Sequence, residues 1–242
     1  MANNYFQFKQ FIVFQEKCAM KVTTDACLFG GWAANLLSNE RLNSIKKIAD
    51  IGTGTGLLTL MIAQNCSAEI DAIDIDADAC EEASANFNQS VWKERLKVIN
   101  ADIKHYLSEE ANGYDFIITN PPFFDNDLKS NSDKRNLAMH SDELSLEELL
   151  IAIKRKLSDT GSFVILLPYH RSIYFEELSS KFGFHLLEKT IVKQTPKHDP
   201  FRTMLLFVGE KVQAIQKEII IKNGNDYTTD FKNLLKEYYL HL

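Results

Sequence analysis

From about residue 46 the chain alternates short apolar runs with amphipathic stretches. Lys47–Ile51, Glu69–Ile73, Leu96–Ile99, Tyr114–Thr119 and Ser162–Leu167 read as strands. Between them, Leu57–Gln64, Asp76–Phe87, Leu144–Leu157 and Ile173–Phe182 read as helices, the second with Cys80, Ala83 and Phe87 on one face. Phe184–Val192 and Thr203–Val208 look extended. Strands alternating with helices imply parallel pairing through crossovers, with helices on both sheet faces. Phe116-Ile117-Ile118 and Phe163-Val164-Ile165-Leu166-Leu167 are apolar on consecutive residues, the pattern of strands buried on both faces. The expected fold is a doubly wound α/β sheet, whose ligands bind beyond the carboxyl ends of the strands near the switch in strand order.

Outside this pattern lie an N-terminal extension (residues 1 to about 44) and a C-terminal strand and helix over 211–242. In the latter, Tyr227–Leu242 reads as a helix capped by Thr228 or Thr229, with Phe231, Leu234, Leu235 and Tyr238 as a packing stripe. With no linker or repeat in between, the expectation is one domain over 1–242, with 45–210 as its core.

Composition narrows the class. The 242 residues are 45% hydrophobic with ten Gly and five Pro, which fits a globular chain. No apolar run reaches about 18 residues, so no membrane span is expected. The start lacks the layout of a secretory signal. Cys18, Cys27, Cys66 and Cys80 form no metal-ligand spacing, so the expectation is no metal and reduced thiols in a cytoplasmic protein. The net charge of −6 offers no overall attraction for nucleic acid, leaving only a local patch to hold phosphates.

The candidate chemistry falls at strand ends. Asp50-Ile51-Gly52-Thr53-Gly54-Thr55-Gly56 closes the first strand and opens the first helix. Its glycines permit a tight turn and close approach to a ligand. The third glycine comes one residue earlier than in the dinucleotide fingerprint. An acid just before the loop suits a cationic ligand group better than a pyrophosphate. Asp74 ends the second strand, where a carboxylate can accept from ribose hydroxyls, with Asp76 and Asp78 as rivals better suited to a helix start. Asp102 follows the third strand, as an acceptor for an amino group or as a local cap. Asn120-Pro121-Pro122-Phe123 follows the fourth. Two prolines stiffen this loop and remove two donors, leaving carbonyl acceptors. The Asn120 side-chain oxygen and the Pro121 carbonyl can hold both N–H groups of a conjugated amine, while Phe123 offers a stacking face. That chemistry suits adenine N6, guanine N2 of ribosomal RNA, or a glutamine side-chain amide in a protein. A non-catalytic scaffold and a nicotinamide oxidoreductase fit less well.

These motifs resemble the class I S-adenosylmethionine-dependent methyltransferases. Phe8-Lys9-Gln10-Phe11, Cys18-Ala19-Met20-Lys21-Val22, Thr24-Asp25, Gly31-Trp32-Ala33 and the tail Asp226-Tyr227-Thr228 resemble the bacterial tRNA1(Val) (adenine-37-N6)-methyltransferases in particular. The resemblance implies a Rossmann-like, mostly parallel seven-stranded sheet, S-adenosylmethionine as cofactor and a tRNA substrate, with no membrane, metal or obligate protein partner. It implies that Thr24, Asp25, Gly52, Gly54, Gly56, Asp74 and Asp102, beside Asp50, line the cofactor. Asn120, Pro121, Pro122 and Phe123 would hold the target base, with Arg135, His140, Lys197 and Arg202 near the RNA.

Overall fold

The computed structural model describes residues 3–18, 20–38, 45–106, 113–122 and 144–242. The first 38 residues hold a hairpin of β1 (Tyr5–Gln7) and β2 (Ile12–Phe14), then helix α1 (Thr24–Leu37). The core follows as β3 (Lys47–Ile51), α2 (Leu57–Ala63), β4 (Glu69–Asp74), α3 (Ala77–Asn88), β5 (Leu96–Asn100), β6 (Tyr114–Thr119), α4 (Leu146–Lys156), β7 (Leu157–Pro168) and α5 (Tyr169–Lys181). The chain ends with β8 (His185–Lys193), β9 (Pro200–Val208), β10 (Ile215–Ile220), a short hairpin of β11 (Lys222–Asn223) and β12 (Asp226–Tyr227), and α6 (Thr229–Leu235).

Among the described residues the central sheet has eight strands, in the order β10-β8-β9-β7-β6-β3-β4-β5. The expected seven-stranded sheet is thus corrected by one: β10, from the C-terminal segment, pairs parallel to β8 and extends the edge. Only the pairs β7–β9 and β8–β9 are antiparallel. The chain lays down β3, β4 and β5 in one direction, then returns so that β6 pairs on the other side of β3. The switch in strand order therefore falls between β3 and β6. Register sets Ile51 beside Thr119, so Gly52 and Asn120 leave the sheet side by side.

Two apolar clusters sandwich the sheet. One packs α1, α2, α6 and the N-terminal hairpin on one face, together with Ala83 and Phe87 of α3. The other packs α4 and α5 against Phe163, Ile165, Leu205 and Phe207.

Several element boundaries differ from the sequence pattern, each for a local reason. Helix α1 went unpredicted because eleven of its fourteen residues are buried, which erases the polar face that marks an amphipathic helix. Helix α5 begins four residues before the expected start, directly after Pro168, because Tyr169-His170-Arg171-Ser172 carries no apolar periodicity. The C-terminal helix is shorter than the expected 227–242. Thr228 caps it, and it stops at Leu235, where the chain turns so that Tyr238 and Tyr239 pack under the N-terminal segment. There the Tyr238 hydroxyl donates to the Met61 carbonyl at 2.9 Å, and Phe8 bridges Tyr239. Phe231 and Leu235 are fully buried.

The N-terminal segment is fastened to α3 by two buried polar side chains. Glu82 accepts the successive N–H groups of Glu16, Lys17 and Cys18, the last at 2.8 Å. Asn86 exchanges two hydrogen bonds with the Phe14 backbone, as a neighbouring strand would, and donates to the Thr55 carbonyl at 2.9 Å. Buried polar groups satisfied in this way turn a desolvation cost into a directional tie.

Close packing of α1 against the tail depends on Gly31. A Cβ at that position would lie 2.7 Å from the Leu234 carbonyl oxygen, which is backbone and cannot yield cheaply. Gly31→Ala gains about 1 kcal/mol of helix propensity but should lose more to overpacking, roughly 1–3 kcal/mol. A net fall in melting temperature of a few degrees is expected by calorimetry. A rise would show that α6 is free to move off α1.

Candidate active site

At the carboxyl ends of β3 to β6 the structure opens a cavity of ≈ 680 Å³, within the range of small-molecule sites. Its wall is built from four strand-end loops and from the N-terminal segment fastened to α3.

The glycine loop forms the floor. Gly52, Gly54 and Gly56 all have positive φ, at 72°, 53° and 81°. The Gly52 and Thr53 N–H groups donate to the Ile73 carbonyl at 2.8 and 3.1 Å, holding the loop against β4. Gly54 faces the cavity; a Cβ there would stand 3.4 Å from the Cys18 sulfur, so the N-terminal segment roofs the loop. Gly56 has a different task. A Cβ there would meet the Phe87 ring at 2.4 Å, so this glycine lets α2 pack against α3 and lies behind the wall.

Asp50 also lies behind the wall, which corrects the expectation that it faces a ligand. It is fully buried, and its Oδ2 accepts from the hydroxyls of Thr53 at 2.7 Å and Thr59 at 2.8 Å. Oδ1 is buried without a partner. Burial pushes its carboxyl up to about 6, against the lowering effect of the two hydroxyls. Asp50 therefore anchors the loop that carries Thr53 to the cavity.

Asp74 lines the cavity and also shapes it. Its Oδ2 accepts the Gly54 N–H at 2.8 Å and its Oδ1 the Asp76 N–H at 3.0 Å. Each carboxylate oxygen has a second lone pair left for a ligand hydroxyl. Asp76 is the N-cap of α3, accepting from Asp78 N at 2.9 Å, the role expected of a helix-start acid. Asp102 lines the cavity too, while its Oδ1 accepts the Lys104 N–H at 2.9 Å. Asn100 ties the β4 and β5 loops by donating to the Asp74 and Ile75 carbonyls at 3.1 and 3.0 Å.

Asn120, Pro121 and Pro122 line the far side of the cavity, with Asn120 half-buried and Pro122 exposed. Thr119 fixes their departure from the sheet by donating to the Ile51 carbonyl at 2.9 Å. Phe123, Arg135 and His140 lie outside the described residues. At the start of α1 the wall passes through Thr23 and Ala26, three residues apart on one face. Thr24 and Asp25, expected over the cofactor, turn away from it. Asp25 instead pairs with Arg202, Oδ2 to Nε at 2.8 Å, joining α1 to β9. Arg202 is thus bound into the fold on β9 and does not line the cavity, and Lys197 is exposed in the loop before β9.

Sequence reasoning missed Cys18, Lys21, Ile75, Ile103 and Arg171, all of which line the cavity. Ile75 carried a legible signal: an isolated apolar residue between Asp74 and Asp76, where a solvated turn would want another polar group. It is 65% exposed and with Ile103 supplies apolar wall beside Asp102. Arg171 carried no signal, because only the early start of α5 brings it there. Among the described residues no cluster of ligands for a metal ion exists, and no helix is long and apolar enough to cross a membrane.

A glycine loop, two strand-end acids and an Asn-Pro-Pro turn around one cavity at the switch point define a class I methyltransferase. Residues 32–188 match the family described as methyltransferase small domain. The chain is 38% identical over 243 residues to the tRNA1(Val) (adenine(37)-N6)-methyltransferase of Phocaeicola vulgatus, covering 100% of both chains. It is 41% identical over 244 residues to the enzyme of that name from Dyadobacter fermentans, covering 98% of each. Among solved structures, a predicted O-methyltransferase from Agrobacterium tumefaciens shares the fold at a TM-score of 0.67 and 16% identity, over 88% of this chain and 96% of that one. The chain belongs to the tRNA1(Val) (adenine(37)-N6)-methyltransferase family.

The raised Asp50 carboxyl makes stability depend on pH. Between about 4 and 6 the folded protein keeps a proton that the unfolded chain has released, so stability falls as pH rises through this window and stays lower above it. Asp50→Asn abolishes that component. The difference in unfolding free energy between wild type and Asp50→Asn should change by on the order of 3 kcal/mol across the window. Denaturant titrations of both proteins at a series of pH values measure it, and a difference that stays constant with pH contradicts the assignment.

Proposed function

We propose that this protein transfers a methyl group from S-adenosylmethionine to N6 of adenine 37 in the anticodon loop of tRNA1(Val), working in the cytoplasm. The observation that carries the reading is one continuous cavity joining Gly54, Asp74 and Asp102 to Asn120 and Pro121, in a chain matched end to end by relatives bearing that activity as their name.

The cavity fits the cofactor on its own terms. Gly52 and Gly54 let the backbone come close without a Cβ, Asp74 keeps lone pairs for ribose hydroxyls, and Ile75 and Ile103 offer apolar wall to a purine beside the Asp102 acceptor. Bound there, S-adenosylmethionine supplies an electrophilic methyl carbon. The chain's own residues act on the amine. The exocyclic nitrogen of adenine is a poor nucleophile because its lone pair is delocalised into the ring. Asn120 Oδ1 and the Pro121 carbonyl accept its two N–H groups, orient its lone pair towards the methyl carbon and stabilise the positive charge that grows on nitrogen. The surplus proton is lost afterwards to solvent, so no general base is needed for the transfer. Adenine 37 must leave its stack to reach this loop, at a cost of a few kcal/mol; stacking on Phe123, next in the chain, offsets part of that. Ribosomal guanine N2 and a protein glutamine amide fit the same pair of acceptors, but no observation in this chain favours either.

Asn120→Ala should lower kcat by roughly 10²-fold while leaving affinity for S-adenosylhomocysteine nearly unchanged by calorimetry. Retained turnover contradicts the role of Asn120. The substrate is tested by mass spectrometry of tRNA1(Val) nucleosides from a deletion strain. The expected outcome is loss of one N6-methyladenosine, recovered on complementation; labelling of release factor or ribosomal RNA in its place overturns the tRNA reading.

A further inference from the structure

The solvent side of α5 is unusual for a surface helix. Ile173 and Tyr174 are 63% and 57% exposed, and His170 is exposed beside them. Spacings of three and four residues put all three on one helical face. Single exposed apolar residues are ordinary, but an aliphatic group, a phenol ring and an imidazole clustered on one turn form a surface that packing among the described residues does not use.

This turn stands at the mouth of the cavity. α5 begins directly after Pro168, the last residue of β7, and Arg171 on the same turn lines the cavity. The loop between β8 and β9 arrives at the same edge, because the antiparallel register sets Arg202 opposite Pro168. That loop exposes Lys197 and His198, the latter with Nδ1 2.7 Å from the Thr195 hydroxyl. Most nearby acids are already engaged: Glu176 by Lys189 at 2.6 Å, Glu218 by Lys193 at 2.8 Å, and Asp25 by Arg202. Asp199 and Glu177 are exposed.

We infer that this face of α5, with the Lys197–His198 loop beside it, is the platform on which unpaired nucleotides flanking the target adenine stack. The inference rests on the tRNA reading above. Turning one base out of a loop leaves its neighbours without a stacking partner. Aromatic and imidazole faces replace that partner whatever the base, and a cation beside them meets the phosphates. The platform is continuous with the catalytic cavity through Arg171, so a strand entering the cavity crosses it. This also answers the acidic net charge of the whole chain, since contact by stacking draws on few phosphate charges.

The test is steady-state methylation of a tRNA1(Val) transcript by wild type, Tyr174→Ala, the double variant Ile173→Ser/Tyr174→Ala, and Val91→Ser. Val91 is 82% exposed and lies at the opposite end of the sheet, near the start of β5. Both α5 variants should raise KM for the transcript about tenfold or more, with kcat and S-adenosylhomocysteine affinity held close to wild type and Val91→Ser unchanged throughout. Lys197→Glu should raise KM and flatten its dependence on salt. An unchanged KM in the double variant, while wild type methylates the transcript, overturns the platform and leaves the substrate reading intact. A rise of equal size in Val91→Ser also overturns it. A wild type that ignores the transcript and methylates a protein overturns both.

Discussion

The site depends on one constraint: β6 pairs in parallel with β3 on the side that β4 does not occupy. A parallel neighbour needs a crossover, and the direction of crossovers reverses at this pair. Both strands consequently end side by side, and their crossovers lead away from the gap between them. Ile51 and Thr119 are register partners, so the glycine loop and the Asn-Pro-Pro loop begin as neighbours although 68 residues separate Thr119 from Ile51. Loops from β4 and β5, at the same edge, complete the cavity. Without that reversal the Asn-Pro-Pro loop and the glycine loop would stand on different parts of the molecule.

Around this gap, buried polar side chains do the positioning that apolar packing cannot. Packing is strong but non-directional, whereas a satisfied buried carboxylate or amide holds specific atoms. Asp50 grips Thr53 and Thr59 behind the glycine loop, and Asp74 holds Gly54 from the front. Glu82 and Asn86 bring a segment more than 60 residues away in sequence onto α3, so that Cys18 and Lys21 join the cavity wall. The cost is visible at Asp50, where burial of a charge with one unpartnered oxygen raises the carboxyl towards neutrality. The same logic operates where the Asp25–Arg202 pair ties α1 to β9.

An enzyme with a net charge of −6 cannot rely on general attraction to approach a polyanion. The contacts with RNA proposed above would therefore be local, and short-range stacking and amine recognition are the kinds of contact least dependent on overall charge. In the proposed reaction adenine N6 would be held by two neutral oxygens rather than by a cation, so that the site would neither protonate nor repel the nucleophile as charge develops.

Local pattern along the chain was enough to give the alternation of elements, the parallel core and the four strand-end motifs. Each rests on short-range rules: apolar periodicity, glycine freedom and proline stiffness act within a few residues. Asp74 and Asn120 were legible for that reason, since a polar residue at or directly after the end of an apolar strand has few structural excuses, whereas Asp102, two residues past β5, could equally be read as a local cap. Which of those residues face the cavity depends instead on long-range packing. Asp50 and Gly56 sit in the motif yet lie behind the wall, one burying its carboxylate under two threonine hydroxyls, the other making room for the Phe87 ring. Helix α1 was illegible because burial on nearly every face removes periodicity, and although a strand was expected after 211, its place in the central sheet was not, because four of the six β10 residues are exposed at an edge and include a polar run. Thr24 and Asp25 were displaced from the wall by one step of helical rotation, a quantity fixed by how α1 packs on α2 and α6. Such facts depend on contacts between residues far apart in the chain, and local pattern carries no information about them.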